Sequence, residues 1–144
     1  MKIFNAIPLC LFSVSFFVQS CKKYEGQGGK SAIIGKITID EKLYINGSYS
    51  QTVSYPGAKE DVYIVYGTDD LIYDDNIECN YDGSFKFDYL QPGDYTIFAY
   101  NKVFHTGNNP SNNDDDYYTL EPYIKQITIK KNETGDLGII NLSK

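Results

Sequence analysis

Few side chains in this sequence are capable of covalent or acid–base chemistry. The 144 residues include three cysteines and one histidine. Cys21 follows Val18-Gln19-Ser20, apolar at −3 and small at −1, which resembles a lipobox. The chemistry there is acylation: the Cys21 thiol takes a diacylglycerol, and small Ser20 lets a peptidase reach the bond before it. Cys10 would leave with the segment so removed, so Cys79 is the thiol that remains. An internal disulfide in the mature monomer is then excluded, and Cys79 reads as a buried strand thiol. A nucleophile needs a base beside it, usually His. His105 falls in a long connection and reads as a packing or surface residue, and no G-x-S-x-G occurs. One free Cys and one His cannot furnish a zinc site. Gly29-Lys30-Ser31 ends like a phosphate-binding loop, but the Gly required five residues earlier is Tyr24. No catalytic residue is assigned, and a protein without enzymatic activity or cofactor is expected.

Two other kinds of chemistry stay open. Asp69-Asp70, Asp74-Asp75-Asn76 and Asp114-Asp115-Asp116 are oxygen-rich, and calcium takes 6–8 oxygen ligands. None follows the D-x-[DN]-x-[DN]-G calcium loop, and solvated loop charge is the plainer explanation. Asp114, Asp115 and Asp116 are the residues a calcium ion would use. Tyrosine rings stack on sugars, and Tyr44, Tyr49, Tyr55, Tyr117 and Tyr118 lie in or beside long connections. Tyr117 and Tyr118 are the candidate ligand-binding pair, with packing against the sheet edge as the competing explanation.

The elements that would hold these residues follow from the hydrophobic pattern. Met1-Lys2 and the uncharged run Ile3–Val18 form a secretory signal over residues 1–20, too short for a comfortable membrane span of ~20 apolar residues. Residues 21–31 are Gly-rich and polar, and read as a flexible tether. Residues 32–144 read as one β domain. Its expected strands are Ala32–Asp40, Asp61–Tyr66, Ile77–Tyr81, Ser84–Leu90, Tyr95–Asn101, Ile124–Lys130 and Leu137–Leu142. Ser84–Leu90 alternates with Phe85, Phe87 and Tyr89 on one side, and Tyr95, Ile97 and Ala99 share a face of the next strand. Asp82-Gly83 and Gln91-Pro92-Gly93-Asp94 are turns. Seven short strands without a helix predict an antiparallel β-sandwich. Three long connections remain: Glu41–Lys59, Gly67–Asn76 and Lys102–Pro122.

Charge narrows the partners. Without Lys2, 12 basic residues face 19 acidic ones, a balance of −7, and no Arg occurs. Nucleic acid is excluded as a partner, because phosphate recognition needs a basic face and favours Arg. Attachment to a membrane would come from lipid on Cys21, since two or three acyl chains anchor firmly where one is marginal.

Specific residues also resemble a known pattern. Tyr55-Pro56-Gly57-Ala58, Val62-Tyr63-Ile64, Tyr81-Asp82-Gly83-Ser84-Phe85-Lys86-Phe87 and Leu90-Gln91-Pro92-Gly93-Asp94-Tyr95-Thr96-Ile97 occur in that order. They resemble carboxypeptidase regulatory-like and Cna B-type domains, which share a transthyretin-like (prealbumin-like) sandwich. Ile127-Thr128-Ile129 and Asp136-Leu137-Gly138 look like the close of such domains in Bacteroidetes lipoproteins. The resemblance implies a seven-stranded transthyretin-like or Ig-like sandwich serving as a binding, spacer or assembly module. Leu90 and Tyr95 bracket a corner where the Tyr95 hydroxyl can bond back to the backbone. The expectation is therefore an envelope lipoprotein, in the outer membrane rather than the inner, whose sandwich binds a protein or a glycan. A fimbria-associated or pilin-like assembly component is the alternative. The sequence leaves open which side of the membrane it faces, its ligand and its oligomeric state.

Overall fold

The computed structural model describes residues 25–68, 72–106 and 116–144. They form β1 (Gln27–Ile45), β2 (Ser48–Pro56), β3 (Asp61–Tyr66), β4 (Asp75–Glu78), β5 (Ser84–Leu90), β6 (Gly93–His105), β7 (Tyr117–Ile129) and β8 (Thr134–Ser143), with no helix among the described residues. Two four-stranded sheets result. In the first, β1 is the spine. Its first half pairs with β5, from Ile33↔Phe87 to Lys36↔Ser84, and its second half with β2, from Thr38↔Pro56 to Ile45↔Ser48. On its other edge lies β8, the one parallel partner, from Ala32↔Thr134 to Asp40↔Ser143. The second sheet runs β4-β3-β6-β7, antiparallel throughout.

The expected sandwich is present. Ile33, Ile37 and Ile39 of β1, Val62 and Ile64 of β3, Phe85 and Phe87 of β5, Ile97 and Ala99 of β6, and Ile140 and Leu142 of β8 meet in one core. Strand side chains alternate between faces, so each strand contributes every second residue. Burying each large side chain contributes about 1.5–3 kcal/mol. Cys79 is buried, as expected, but it follows β4 instead of lying in a strand over Ile77–Tyr81.

The chain departs from the sequence expectation in five places, each with a physical reason. There are eight strands, not seven, because Glu41–Lys59 is no loop. There β1 runs on to Ile45, reverses at Asn46-Gly47 and returns as β2. Asn46 and Gly47 both have positive φ, 50° and 77°, the geometry of a two-residue hairpin turn. Similarly, both described ends of Lys102–Pro122 are ribbon: β6 and β7 pair from Gly93↔Ile129 out to His105↔Tyr117. Residues 27–31, expected to be tether, belong to β1, which begins at Gln27. Gly29 packs so closely on Leu90 that any Cβ would overlap its carbonyl. Finally, Tyr89 does not join Phe85 and Phe87 in the core. Its φ of 60° reverses the alternation, leaving Tyr89 exposed and burying Leu90 instead. The turns at Asp82-Gly83 and Gln91–Asp94 are corners between the two sheets rather than hairpins, because β5 belongs to the first sheet and β4 and β6 to the second.

Tyr95 ties these layers together. Its hydroxyl donates to the Gln91 carbonyl (2.8 Å) and accepts from the Gly26 N–H (3.0 Å). The Gln91 N–H donates in turn to the Gly26 carbonyl at 2.7 Å. One buried phenol thus holds the β5–β6 corner against the entry of β1. Tyr95→Phe leaves the ring in place but strands those backbone groups. Unfolding in urea should show a loss of about 1–3 kcal/mol with an unchanged m-value.

Candidate functional site

In the β4-β3-β6-β7 sheet, one face supplies the core and the other faces outward. Alternation puts Tyr63 of β3 and Phe98 and Tyr100 of β6 on the outward face. Tyr63 stacks on Phe98 with centroids 5.0 Å apart and planes at 12°, and meets Tyr100 edge-on at 5.6 Å. Tyr73, from the β3–β4 connection, closes on Tyr63 at 4.9 Å. These rings pack on each other; Phe98 is almost fully covered. Burial, then the negative charge of Asp61, raises the Tyr63 phenol above its ordinary value.

The aromatic row continues along the β6–β7 ribbon. Lys102 and Phe104 share the outward face with their partners Leu120 and Tyr118. Phe104 and Tyr118 lie 5.2 Å apart, and the Lys102 amine sits 4.1 Å over the Tyr118 ring. Such a cation over an exposed ring is worth ~0.5–1 kcal/mol. Phe104 is 51%, Tyr118 56% and Leu120 65% exposed, so this stretch is open to a ligand while the rings nearer the sandwich are not. Between the two lies a cleft of ≈ 200 Å³ lined by Glu60, Asp61, Tyr63, Tyr100, Lys102, Leu120 and Lys144. In it Lys144 pairs with Glu60. Flat rings, phenol hydroxyls, carboxylates and an amine together can stack on an apolar ring face and bond its hydroxyl groups.

The ribbon separates the two residues that the sequence set side by side. Tyr118 joins the outward row. Tyr117 points to the opposite face, stacked on His105 at 4.9 Å and 16°. There the His105 Nε2 and Thr119 Oγ1 are 2.6 Å apart, so His105 is a packing residue. Tyr44 and Tyr49 meet at 6.1 Å on the β1–β2 ribbon, and the Tyr55 hydroxyl donates to Glu41 at 3.2 Å. Asp114 and Asp115, with Asp69-Asp70 and Cys21, lie outside the described residues. Asp116 immediately precedes β7 and is engaged by a neighbour. Among the described residues no three His, Cys, Asp or Glu side chains converge as a metal site would need. Asp74 instead accepts the Tyr66 N–H at 2.7 Å, and Asp75 accepts from Gln27 Nε2 at 3.1 Å.

Tyr63, Phe98, Tyr100, Lys102, Phe104 and Leu120 were missed as site residues. A signal for them exists: Tyr63 and Tyr100 are large rings on strands whose other face is already apolar. A central strand with both faces apolar needs cover on both, and that cover is the aromatic row.

No protein-family model matches the chain, and no curated protein matches it either. A solved structure from Pseudomonas aeruginosa, described as a "putative carbohydrate binding protein", is similar at a TM-score of 0.47 and 13% identity. The likeness covers 83% of this chain and 92% of that one.

Cys79 is the one thiol among the described residues. Burial, reinforced by Glu60, Asp61 and Asp82, pushes its thiol up from the ordinary 9.0 to about 12. The folded chain therefore holds that proton more tightly than the unfolded chain does. Its contribution to stability is whole below pH ~9 and is lost as pH rises toward 12. Iodoacetamide at pH 8 should leave Cys79 unmodified until urea unfolds the chain. Stability should fall between pH 9 and 12 less steeply in Cys79→Ala.

Proposed function

We propose that this chain is a lipid-anchored envelope protein, without catalytic activity, whose β-sandwich binds a glycan along the outward row Lys102, Phe104, Tyr118 and Leu120. The observation that carries the reading is the exposure of Phe104 and Tyr118 as adjacent rings on a paired ribbon. Rings that served only to cover the sheet would be buried as Phe98 is. A glycan fits better than a second apolar surface, because charged and hydroxyl groups of Glu60, Asp61, Lys102 and Tyr100 adjoin the rings.

Position agrees with an anchor at Cys21. The Ser143 N–H bonds to Asn101 and the Lys144 N–H to Asp40, which marks one end of the sandwich. Both ribbons pass beyond that end, away from Gln27 and the residues preceding it. At roughly 3.3 Å per residue, the length of β1 alone sets the ribbon tips tens of ångströms from its start. Lipid on Cys21 would hold the opposite end, with the aromatic row turned away from the membrane. The outer membrane is the proposed site.

Two measurements test this. Cys21→Ser should move the protein from the membrane to the soluble fraction and abolish incorporation of a labelled palmitate. Retention on immobilised neutral polysaccharides should fall roughly 10-fold or more in Phe104→Ala/Tyr118→Ala, the loss of about 1.4 kcal/mol or more of stacking. The same assay should spare Tyr117→Ala. Absence of retention on every polysaccharide, or equal retention by the double variant, refutes the glycan site.

A further inference from the structure

A β-sandwich has open edges, and most of those here are blocked. On β8, the Leu137 carbonyl takes the Lys125 amine (2.9 Å), the Ser143 N–H is used by Asn101 (2.9 Å), and Gly138 at φ 68° bulges the strand. On β5, the Lys86–Asp88 pair and left-handed Tyr89 interrupt the edge. β4 is four residues long and carries Asp75 and Glu78. β7 carries Glu121, Pro122 and Lys125. Short edges, charges, prolines and bulges are the usual defences against pairing with another chain.

β2 lacks most of them. It is exposed along its whole length, and no charged residue lies between Lys42 and Lys59. Its one proline is its last residue, and its one irregularity is at Ser50, where the register with β1 shifts. From Gln51 to Tyr55 the strand is regular. The Gly57 N–H bonds to the Ile37 carbonyl, which fixes the alternation of the ladder. Val53 and Tyr55 turn their backbone toward β1, opposite Glu41 and Ile39, so Thr52 and Ser54 turn theirs to the open side.

We infer that two copies of this chain pair antiparallel through β2, with Val53 on the two-fold axis. In that register Thr52 of each copy exchanges both backbone hydrogen bonds with Ser54 of the other. Val53 meets Val53, and Gln51 meets Tyr55. The segment is self-complementary, as a two-fold contact must be. The two-fold match of the segment points to a second copy as the occupant, and its lack of charge permits the approach. The chain carries −6 overall, so two copies repel over most of their surface, and the uncharged β2 is where they can approach. The inference is independent of the glycan site.

The test uses the full chain in detergent or in its membrane. In the proposed pairing the Val53 Cα atoms form a non-hydrogen-bonded pair ~4.5 Å apart, within reach of a disulfide. Under mild oxidation Val53→Cys should give a linked dimer more than ~10-fold faster than Lys131→Cys, a turn position, because pairing raises the effective thiol concentration. The linked band is scored against the unaltered chain, which carries Cys21 and Cys79 as background. Adding Thr52→Pro removes the outward N–H, which an edge strand tolerates, together with the exposed hydroxyl contact to Tyr49. It should preserve the melting transition and abolish the linked dimer. Sedimentation of the unaltered chain should show a dimer that Thr52→Pro converts to monomer. The inference fails if the unaltered chain stays monomeric and Val53→Cys links no faster than the control. It fails equally if linkage survives Thr52→Pro in a folded chain, or if β2 accepts a strand of another protein while the chain itself is monomeric.

Discussion

Strand β1 must serve two successive partners along one edge, and the change of partner happens at a single residue. The Ile37 N–H donates to the Gly83 carbonyl at the end of the β5 ladder, and the Ile37 carbonyl accepts from Gly57 at the start of the β2 ladder. No ladder bond is lost at the junction, as a buried backbone requires. Both partner positions are glycine for a steric reason. A Cβ on Gly83 would overlap the Ile37 carbonyl, and one on Gly57 would overlap the Ile37 side chain. Because β1 need not stop where β5 stops, it can run beyond the core and carry β2 with it. The β1–β2 ribbon exists through that handover.

The β6–β7 ribbon is built differently. Here one long pairing continues without interruption, and what changes along it is the cover. Near the sandwich its inward face meets β8, as the contact between Lys125 and Leu137 records, and its outward face carries the packed Tyr63–Phe98 stack. Farther out, past Asn101, the sandwich ends and both faces open to solvent. Rings are retained there on both sides, Tyr117 against His105 and Tyr118 against Phe104. Cross-strand aromatic pairs stabilise a two-stranded ribbon that has no sheet behind it, each by roughly 0.2–1 kcal/mol. The same rings that stiffen the ribbon are the ones a ligand can reach.

The two ribbons differ in how they relate to the acidic balance of the chain. The outward row on β6–β7 carries rings and Lys102, and the adjoining cleft adds Glu60 and Asp61. The β2 edge has no charge at all, and its polar groups are hydroxyls and an amide. Its own tyrosines fold back, Tyr49 onto Thr52 and Tyr55 onto Glu41, so its backbone edge stays open. The proposed ligand surface and the proposed pairing edge thus use different atoms at one end of the sandwich.

Sequence by itself determined the layers. The alternation of Phe85 and Phe87, the apolar face Tyr95-Ile97-Ala99, the run Asp61–Tyr66 and the corner tyrosine are local patterns, and strands of period two leave few ways to bury them. Two elements matched to the residue, Asp61–Tyr66 and Ser84–Leu90, because turn residues bound them on both sides. The Asn46-Gly47 hairpin was not among the expected elements, although that dipeptide is a hairpin signal, because the polar residues around it resemble a loop. Only the tertiary structure decided that Tyr117 and Tyr118 face opposite ways in a ribbon, that Gly29 is a packing residue, and that Tyr89 turns outward. Only the tertiary structure gathered Tyr63, Phe98 and Tyr100 with Lys102, Phe104, Tyr118 and Leu120 on one face. Those residues come from three strands, and their proximity depends on strand order and register. Neither is written in the local pattern, because a strand reads the same whichever neighbour it pairs with.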